Sequence, residues 1–287
     1  MKTQVPVLSS MRNFWQGYKR DRLGLVGIVI VIAYIIVALL APYISPYPPE
    51  ALLFSPFLSP DQQHFLGTDS LGREVVSRLI WGTRISIVFG VGVAGLSLIV
   101  GVILGAVAGY YGGWLDNLLS RSFEVVLMIP SIFLIILVVA MYGSNIVNAM
   151  LVVAFTQWPW NARITRAQVL GLKGRTYVQA ALLSGASHMR ILFLHILPNG
   201  IQPVLANASL QMAYAVLVEA SLSFLGLGDP NQVSWGQMLR LAQSNPLREP
   251  WTIISSGAAI FLLILSFNFL SMGLNAALNP RYAERKV

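Results

Sequence analysis

The sequence predicts an all-α protein that spans a lipid bilayer, and three observations support this prediction. Of the 287 residues, 56% are hydrophobic and only 10% are charged, whereas a soluble domain carries about 25% charged residues. Several apolar stretches are long enough to cross the hydrocarbon core as helices. Lys and Arg lie between those stretches, so the net charge of +8 is interpreted as a topology signal and not as a nucleic-acid surface.

Six spanning helices fit the hydropathy pattern. In chain order they are predicted at 23–41, 85–109, 123–142, 145–160, 200–222 and 252–274. The first is longer than a signal-peptide core and lacks a cleavage motif, so we expect it to be retained, with a cleaved signal as the alternative. The fourth ends in Trp158-Pro159-Trp160, where indole rings suit the headgroup layer.

The basic residues predict the orientation. With six spans both termini lie on one side of the membrane, and that side receives fourteen of the 19 Lys and Arg. The other five are Arg73, Arg78, Arg84, Arg240 and Arg248. The positive-inside rule therefore predicts that both termini and the loop 161–199 are cytoplasmic.

This topology divides the chain into a few segments. They are a cytoplasmic arm (1–22), the first helix (23–41), an external loop (42–84), a five-helix core (85–274) with a cytoplasmic loop (161–199) and an external loop (223–251), and a cytoplasmic tail (275–287).

The external loop 42–84 has two parts. Its start is rich in proline, which predicts an extended chain with few backbone hydrogen bonds. Asp69 then stands where an N-cap is expected. After it, apolar and charged residues fall on opposite sides of a helical projection, which predicts an amphipathic helix at the outer interface. The apolar side is Leu71, Val75, Val76, Leu79 and Ile80, and the other side is Arg73, Glu74, Ser77 and Arg78.

The second span carries small residues at strict four-residue spacing: Ser97, Gly101, Gly105, Gly109 and Gly113. Such a narrow stripe without side-chain bulk lets another helix backbone approach closely. The partner is either another helix of this chain or a second subunit, and the sequence leaves both open.

The loop 161–199 is basic and contains no acid. A short helix is predicted from Tyr177 to Ser184, ending at Gly185 in the position after the C-cap. Ser187 is then expected to cap a second helix, which Pro198 ends. Attraction to anionic lipid, at roughly 1 kcal/mol per basic residue, explains only the charge of the loop. It does not explain the small residues on the helix surfaces, which indicate a docking element; these are Ala180, Ala181, Gly185 and Ala186.

Polar groups inside the membrane are few. Asn207, Gln211 and Glu219 share one face of the fifth span. A buried acid in lipid is costly and usually points into the protein. This face with Asn207, Gln211 and Glu219 could therefore line a substrate path, where Glu219 would meet a substrate amine. Alternatively, Glu219 lies near the interface and pairs with an external Arg.

Several motifs resemble one family. Gln179-Ala180-Ala181, three intervening residues, Gly185 and then Ile196-Leu197-Pro198 resemble the EAA loop of ABC importer permeases. Further stretches resemble the C-type permease subunit of dipeptide, oligopeptide and nickel importers. They are Phe65-Leu66-Gly67-Thr68-Asp69, Gly72-Arg73, Ser77-Arg78-Leu79, Ala108-Gly109-Tyr110, Gly112-Gly113, the run from Leu222 to Gly228, Trp235-Gly236 and Asn279-Pro280. The resemblance extends from about Phe14 to Tyr282.

The resemblance implies a type I importer permease bundle in the inner cell membrane. Its partners would be a second, homologous permease, two cytoplasmic ATPase subunits that use ATP and Mg, and an external substrate-binding protein. The cargo would be di- or oligopeptides, with nickel or another small solute as the alternative. The loop would seat a coupling helix in a groove of the ATPase. The residues carried over to this role are Tyr177, Gln179, Ala180, Ala181, Gly185, Ala186, Arg190 and Pro198, and Gln179 stands where the family has an acid.

Other classes of function find little support. No phosphate-binding loop, serine nucleophile motif, zinc motif or paired-carboxylate site occurs, so we predict no catalytic, cofactor or metal residue in this chain. A stand-alone secondary transporter or channel needs intramembrane ionisable groups, and Glu219 is essentially the only one. A membrane-embedded enzyme lacks its catalytic residues.

Overall fold

A computed structural model describes residue 15 and residues 17–278. Most of the predicted N-terminal arm and the end of the predicted tail lie outside these residues. The helices are α1 (Arg22–Ile44), α2 (Val75–Tyr111), α3 (Gly113–Met128), α4 (Ser131–Tyr142), α5 (Ile146–Lys173), α6 (Thr176–Leu183), α7 (His188–Gly200), α8 (Gln202–Phe224), α9 (Trp235–Ala242) and α10 (Pro250–Leu278). Turns and an isolated bridge between Thr68 and Glu74 join them.

The observed apolar helices agree with the predicted spans to different degrees. Within the described residues, α1, α2 and α10 are each long and apolar enough to cross a membrane. The pair α3–α4 is bent by 76° and the pair α7–α8 by 62°, and counting each pair as one span gives five. The chain is thus a multi-pass helical membrane protein. At the first bend Pro130 removes a backbone donor, and a new helix begins after it.

The predicted amphipathic helix before the second span is wrong. The helix begins at Val75 and runs for 37 residues without a break. Asp69 instead closes a turn, accepting hydrogen bonds from the backbone N–H groups of Leu71 (2.9 Å) and Arg73 (3.0 Å). Arg73 and Arg78, placed on a polar outer face by the sequence, are buried in the protein.

The proline-rich start of the external loop is also more ordered than expected. Phe54 N–H donates to the Gly72 carbonyl at 3.2 Å and Phe57 N–H to the Asp69 carbonyl at 3.2 Å. Leu58 N–H donates to Thr68 Oγ1 at 2.9 Å. Residues 54–58 therefore pair with residues 68–72, and prolines between them do not prevent it because the donors are non-proline residues.

Helix α5 continues beyond the predicted end of the fourth span, through Pro159 to Lys173. The cause is packing, because Ala162, Thr165 and Val169 are buried on the face that contacts α2. The predicted loop 161–199 thus begins as helix.

The small-residue stripe makes this contact possible. Gly101 lies against Asn161 and Ala162, Gly105 against Ala162, and Gly109 against Arg166 and Val169. The stripe packs on α5 of the same chain.

The long helices α1, α2, α8 and α10 meet in an apolar core around α9. Trp235 is completely buried there, and its indole N–H donates to the Leu79 carbonyl at 2.9 Å. Val31 of α1 and Phe267 of α10 belong to the same core. This core holds α1 and α10 against α2.

Candidate functional site

The α6–α7 element, residues 176–200, has the local structure that the sequence predicts at its centre. Gly185 has φ = 79° and follows α6 in a Schellman motif. Its N–H donates to the Leu182 carbonyl (3.0 Å), and Ala186 N–H donates to the Ala181 carbonyl (3.1 Å). Ser187 caps α7, since its hydroxyl accepts from Arg190 N–H at 3.4 Å. Both turn predictions are confirmed.

The predicted end of the second helix at Pro198 is wrong. Helix α7 continues to Gly200, with a π-helical segment over Ile191–Ile196. Leu197 N–H donates to the Leu192 carbonyl five residues earlier. A wider turn immediately before Pro198 relieves the clash between a proline ring and the preceding turn, so the helix continues and the chain bends after Gly200.

One side of the α6–α7 element is anchored in the bundle. Val178 and Ile191 are buried with Tyr110 of α2 and Val169 of α5. One polar contact joins the element to α2, and a second joins the end of α5 to α2. The Tyr110 hydroxyl lies 2.9 Å from His188 Nδ1. The Lys173 ammonium group donates to the Tyr110 carbonyl and lies 5.4 Å from the centre of its ring. The element is therefore attached to the ends of both α2 and α5.

The other side of the element is open and partly apolar. Leu183 at its tip is 90% exposed, and Leu182 and Met189 are also exposed. Among the residues carried over from the resemblance, Ala181 and Ala186 are half-buried. The exposed ones are Tyr177, Gln179, Ala180, Gly185, Arg190 and Pro198. The arrangement provides a rigid projection with an unpartnered apolar tip.

Two of the basic residues before this element have specific partners. Arg166 forms a two-point ion pair with Asp116 of α3, with Nε–Oδ1 at 2.5 Å and Nη2–Oδ2 at 2.7 Å. Lys173 is bound to Tyr110 as described. These two side chains therefore hold helices together, in addition to any attraction to lipid.

Asn207 and Gln211 lie in a buried polar network between α2, α5 and α8. Asn161 Nδ2 donates to Gln211 Oε1 at 2.7 Å, and Asn207 Nδ2 donates to Asn161 Oδ1 at 3.0 Å. The Ser97 hydroxyl donates to Gln211 Oε1 at 3.0 Å, and Gln211 Nε2 donates to the Gln157 carbonyl at 3.1 Å. The amide groups thus hold the three helices together. Sequence spacing identified two of the members, but not Asn161, which we assigned to a loop.

Glu219 lies apart from this network. It is 95% buried, and Ser223 Oγ donates to its Oε1 at 2.8 Å. Its Oε2 is buried without a hydrogen-bond partner. The ion pairs formed by the described residues do not include Glu219. The predicted alternative, in which Glu219 pairs with an external Arg, is therefore wrong for the described part of the chain.

An ion cluster at the external loop was not predicted. Arg73 Nε lies 2.7 Å from Asp69 Oδ2, and Glu50 contacts Arg73 Nη1 at 2.9 Å and Arg78 Nη1 at 2.8 Å. Glu249, at the start of α10, is buried beside this cluster, and desolvation raises the pKa of its carboxyl group. The four-residue spacing of Asp69 and Arg73 was visible in the sequence, but the distant partner Glu50 gave no local signal.

These features place the chain in the class of multi-pass helical membrane proteins. Residues 101–284 match the family described as binding-protein-dependent transport system inner membrane component. Residues 9–72 match the N-terminal TM domain of oligopeptide transport permease C. The chain belongs to the binding-protein-dependent transport system inner membrane component family and is a transport permease.

Relatives match over nearly the whole chain. A dipeptide transport system permease protein of Alkalihalophilus pseudofirmus is 36% identical over 281 residues, covering 97% of this chain and 92% of that protein. A glutathione transport system permease protein of Pectobacterium atrosepticum is 38% identical over 278 residues, covering 96% and 92%. A dipeptide transport system permease protein of Haemophilus influenzae is 36% identical over 282 residues, covering 96% of each.

Proposed function

We propose that this chain is a permease subunit of an ATP-driven peptide importer in the inner cell membrane. It forms half of the translocation pathway beside a second, homologous permease, with two cytoplasmic ATPase subunits and an external substrate-binding protein. Relatives named for dipeptides and glutathione support peptides over nickel, since both cargoes are short peptides. ATP and Mg are used by the ATPase subunits, and this chain binds no cofactor of its own.

The proposed topology has six spans with both termini in the cytoplasm. Helix α5 is the span added to the three straight helices and the two bent pairs. The bias of basic residues towards the side of the termini supports this orientation. It puts the α6–α7 element on the cytoplasmic face and the ion cluster around Glu50 on the external face.

The α6–α7 element is the proposed contact with the ATPase, and its exposed apolar tip is the observation that carries this proposal. Leu183 is 90% exposed beyond the ends of α2 and α5, and an apolar tip on a capped, rigid element fits a groove in a partner. Movement of the ATPase would reach α2 through the contact between Tyr110 and His188, and α5 through the apolar packing on Val169. Gln179 is neutral, so any bond it makes to the partner lacks the strength of a charge-assisted one.

Two substitutions at Gly185 test the docking. A Cβ atom added here meets no neighbouring atom of this chain within 4 Å, so the side chain of Gly185→Arg would project into the space that the ATPase would fill. Gly185→Ala is the matched control, because it carries the same backbone strain at φ = 79°, about 1–2 kcal/mol, without the bulk. We expect Gly185→Arg to abolish peptide uptake and ATPase co-purification, while Gly185→Ala keeps most of both.

Membrane insertion should be equal for the two variants, which is checked by their amounts in washed membranes. Normal uptake by the Gly185→Arg variant would overturn the docking proposal. Equal loss of uptake and co-purification in both variants would show that the change in the backbone turn, and not a clash with the partner, causes the effect.

A further inference from the structure

A small cavity lies beside Glu219, near the end of α8. Its volume is about 20 Å³, which is room for one water-sized group. Besides α8, three other parts of the chain form its walls: α2 contributes Phe89, the start of α5 contributes Asn145, and the segment after α8 contributes Asp229 and Ser234. The cavity is therefore a feature of the tertiary fold and not of one helix.

The carboxyl group of Glu219 is only partly satisfied there. Ser223 Oγ donates to Oε1 at 2.8 Å, and the hydroxyl of Ser234 also interacts with the group. Oε2 is buried and satisfies no hydrogen bond. Asp229 in the same wall accepts from the Ile146 N–H at Oδ2 (3.3 Å) and from the Asn231 N–H at Oδ1 (2.9 Å), and each carboxylate oxygen can accept more than one hydrogen bond.

The charge of the lining is one-sided. Its residues include the two carboxyl groups of Glu219 and Asp229 and no Lys, Arg or His. A buried carboxylate oxygen without a hydrogen-bond donor, such as Glu219 Oε2, is unfavourable. The group that would complete this site carries a positive charge, donates hydrogen bonds and is the size of a water molecule.

We propose that this cavity binds the primary ammonium group of the transported peptide, an inference that rests on the proposed function. An –NH₃⁺ group has three donors in a volume close to that of water, and the carboxyl groups of Glu219 and Asp229 in the lining are the acceptors that it would meet. A trimethylated ammonium group has no donors and exceeds the cavity. An acetylated N-terminus has no charge to offset that of the carboxylates.

Protection from chemical modification tests the site directly. In the complete wild-type complex, dicyclohexylcarbodiimide forms a covalent adduct with buried carboxyl groups, and mass spectrometry measures the adduct at Glu219. We expect Ala-Ala and methylammonium at saturation to slow this labelling at least tenfold. N-acetyl-Ala-Ala and tetramethylammonium are the matched ligands that should not. Glu249, which is also buried but is not among the residues that line the cavity, reports whether the reagent's access has changed.

Three outcomes overturn the inference: equal labelling of Glu219 with all four compounds, labelling of Glu249 without Glu219, or protection by methylammonium but not by Ala-Ala. Uptake of Ala-Ala by the same complex tests the proposed function separately. Uptake without protection refutes the ammonium site alone, whereas absent uptake refutes the peptide importer.

A substitution gives a second measurement. Glu219→Gln keeps the shape of the side chain and removes its charge. Loss of one charge-assisted hydrogen bond lowers uptake of Ala-Ala at low concentration by about tenfold to a hundredfold. Uptake unchanged in this variant would contradict the proposal.

Discussion

Gly105 provides a quantitative test of the packing between α2 and α5. A Cβ atom added there would lie 2.9 Å from both Cα and C of Ala162, with the Ala162 carbonyl oxygen closer still. Ordinary van der Waals contact needs 3.4 Å or more, and the obstacle is backbone, which no rotamer change can remove. Overpacking of this kind costs about 1–3 kcal/mol.

Gly95 in the same helix is the matched control, since a Cβ atom there meets nothing within 4 Å. Gly105→Ala and Gly95→Ala both gain the same helix propensity, about 1 kcal/mol. We therefore expect the free energy of unfolding of Gly105→Ala to be about 1–3 kcal/mol below that of Gly95→Ala.

Reversible SDS titration of the purified variants, followed by circular dichroism and by tryptophan fluorescence, measures this difference. A difference below about 0.5 kcal/mol, the size of an ordinary surface effect, would refute the close approach of α2 to α5 at Gly105. The glycine stripe would then require another partner, such as a second subunit.

Two further predictions concern coupling and topology. Tyr110→Phe removes the hydroxyl bonded to His188 but keeps the ring, and losing about 1 kcal/mol should lower the peptide transported per ATP hydrolysed severalfold. Uptake and phosphate release are measured in the same proteoliposomes, and an equal fall in both would contradict a role in coupling. Because the chain has no cysteine, Leu247→Cys and Leu183→Cys each introduce one exposed thiol. A membrane-impermeant maleimide should label Leu247→Cys in intact cells and Leu183→Cys only after permeabilisation, and the reverse pattern would invert the topology.

Local signals predicted local structure well. Gly185 and Ser187 were identified as the turn and the cap of the α6–α7 element because both motifs act over fewer than six residues. Hydropathy found the apolar helices but not their ends. It reports partition into lipid, whereas the length of α5 is decided by the packing of Ala162 and Val169 on α2.

Two prolines show why sequence was insufficient for the helix breaks. Pro130 lies at a 76° bend between α3 and α4, whereas Pro159 lies inside the continuous α5. Both remove one backbone donor. The two sites differ in packing, because the residues after Pro159 are buried against α2, and this burial offsets the lost hydrogen bond. Local propensity contains no information about such a neighbour. The sequence therefore missed the helix break at Pro130 and wrongly placed a helix end just after Pro159.

The ion cluster around Arg73 and Arg78 shows the same limit for charge. The amphipathic pattern around Arg73 and Arg78 assumed that charged residues face water or headgroups. Both guanidinium groups are buried instead, which is tolerable only when carboxylates accompany them. Asp69 is near in sequence, but Glu50 comes from 23 residues before Arg73 and is 59% exposed. One largely exposed carboxylate thus contacts two buried cations, and removing it would leave both without that partner. The packing of the loop before α2 on the start of that helix therefore depends on Glu50 more than the exposure of Glu50 indicates.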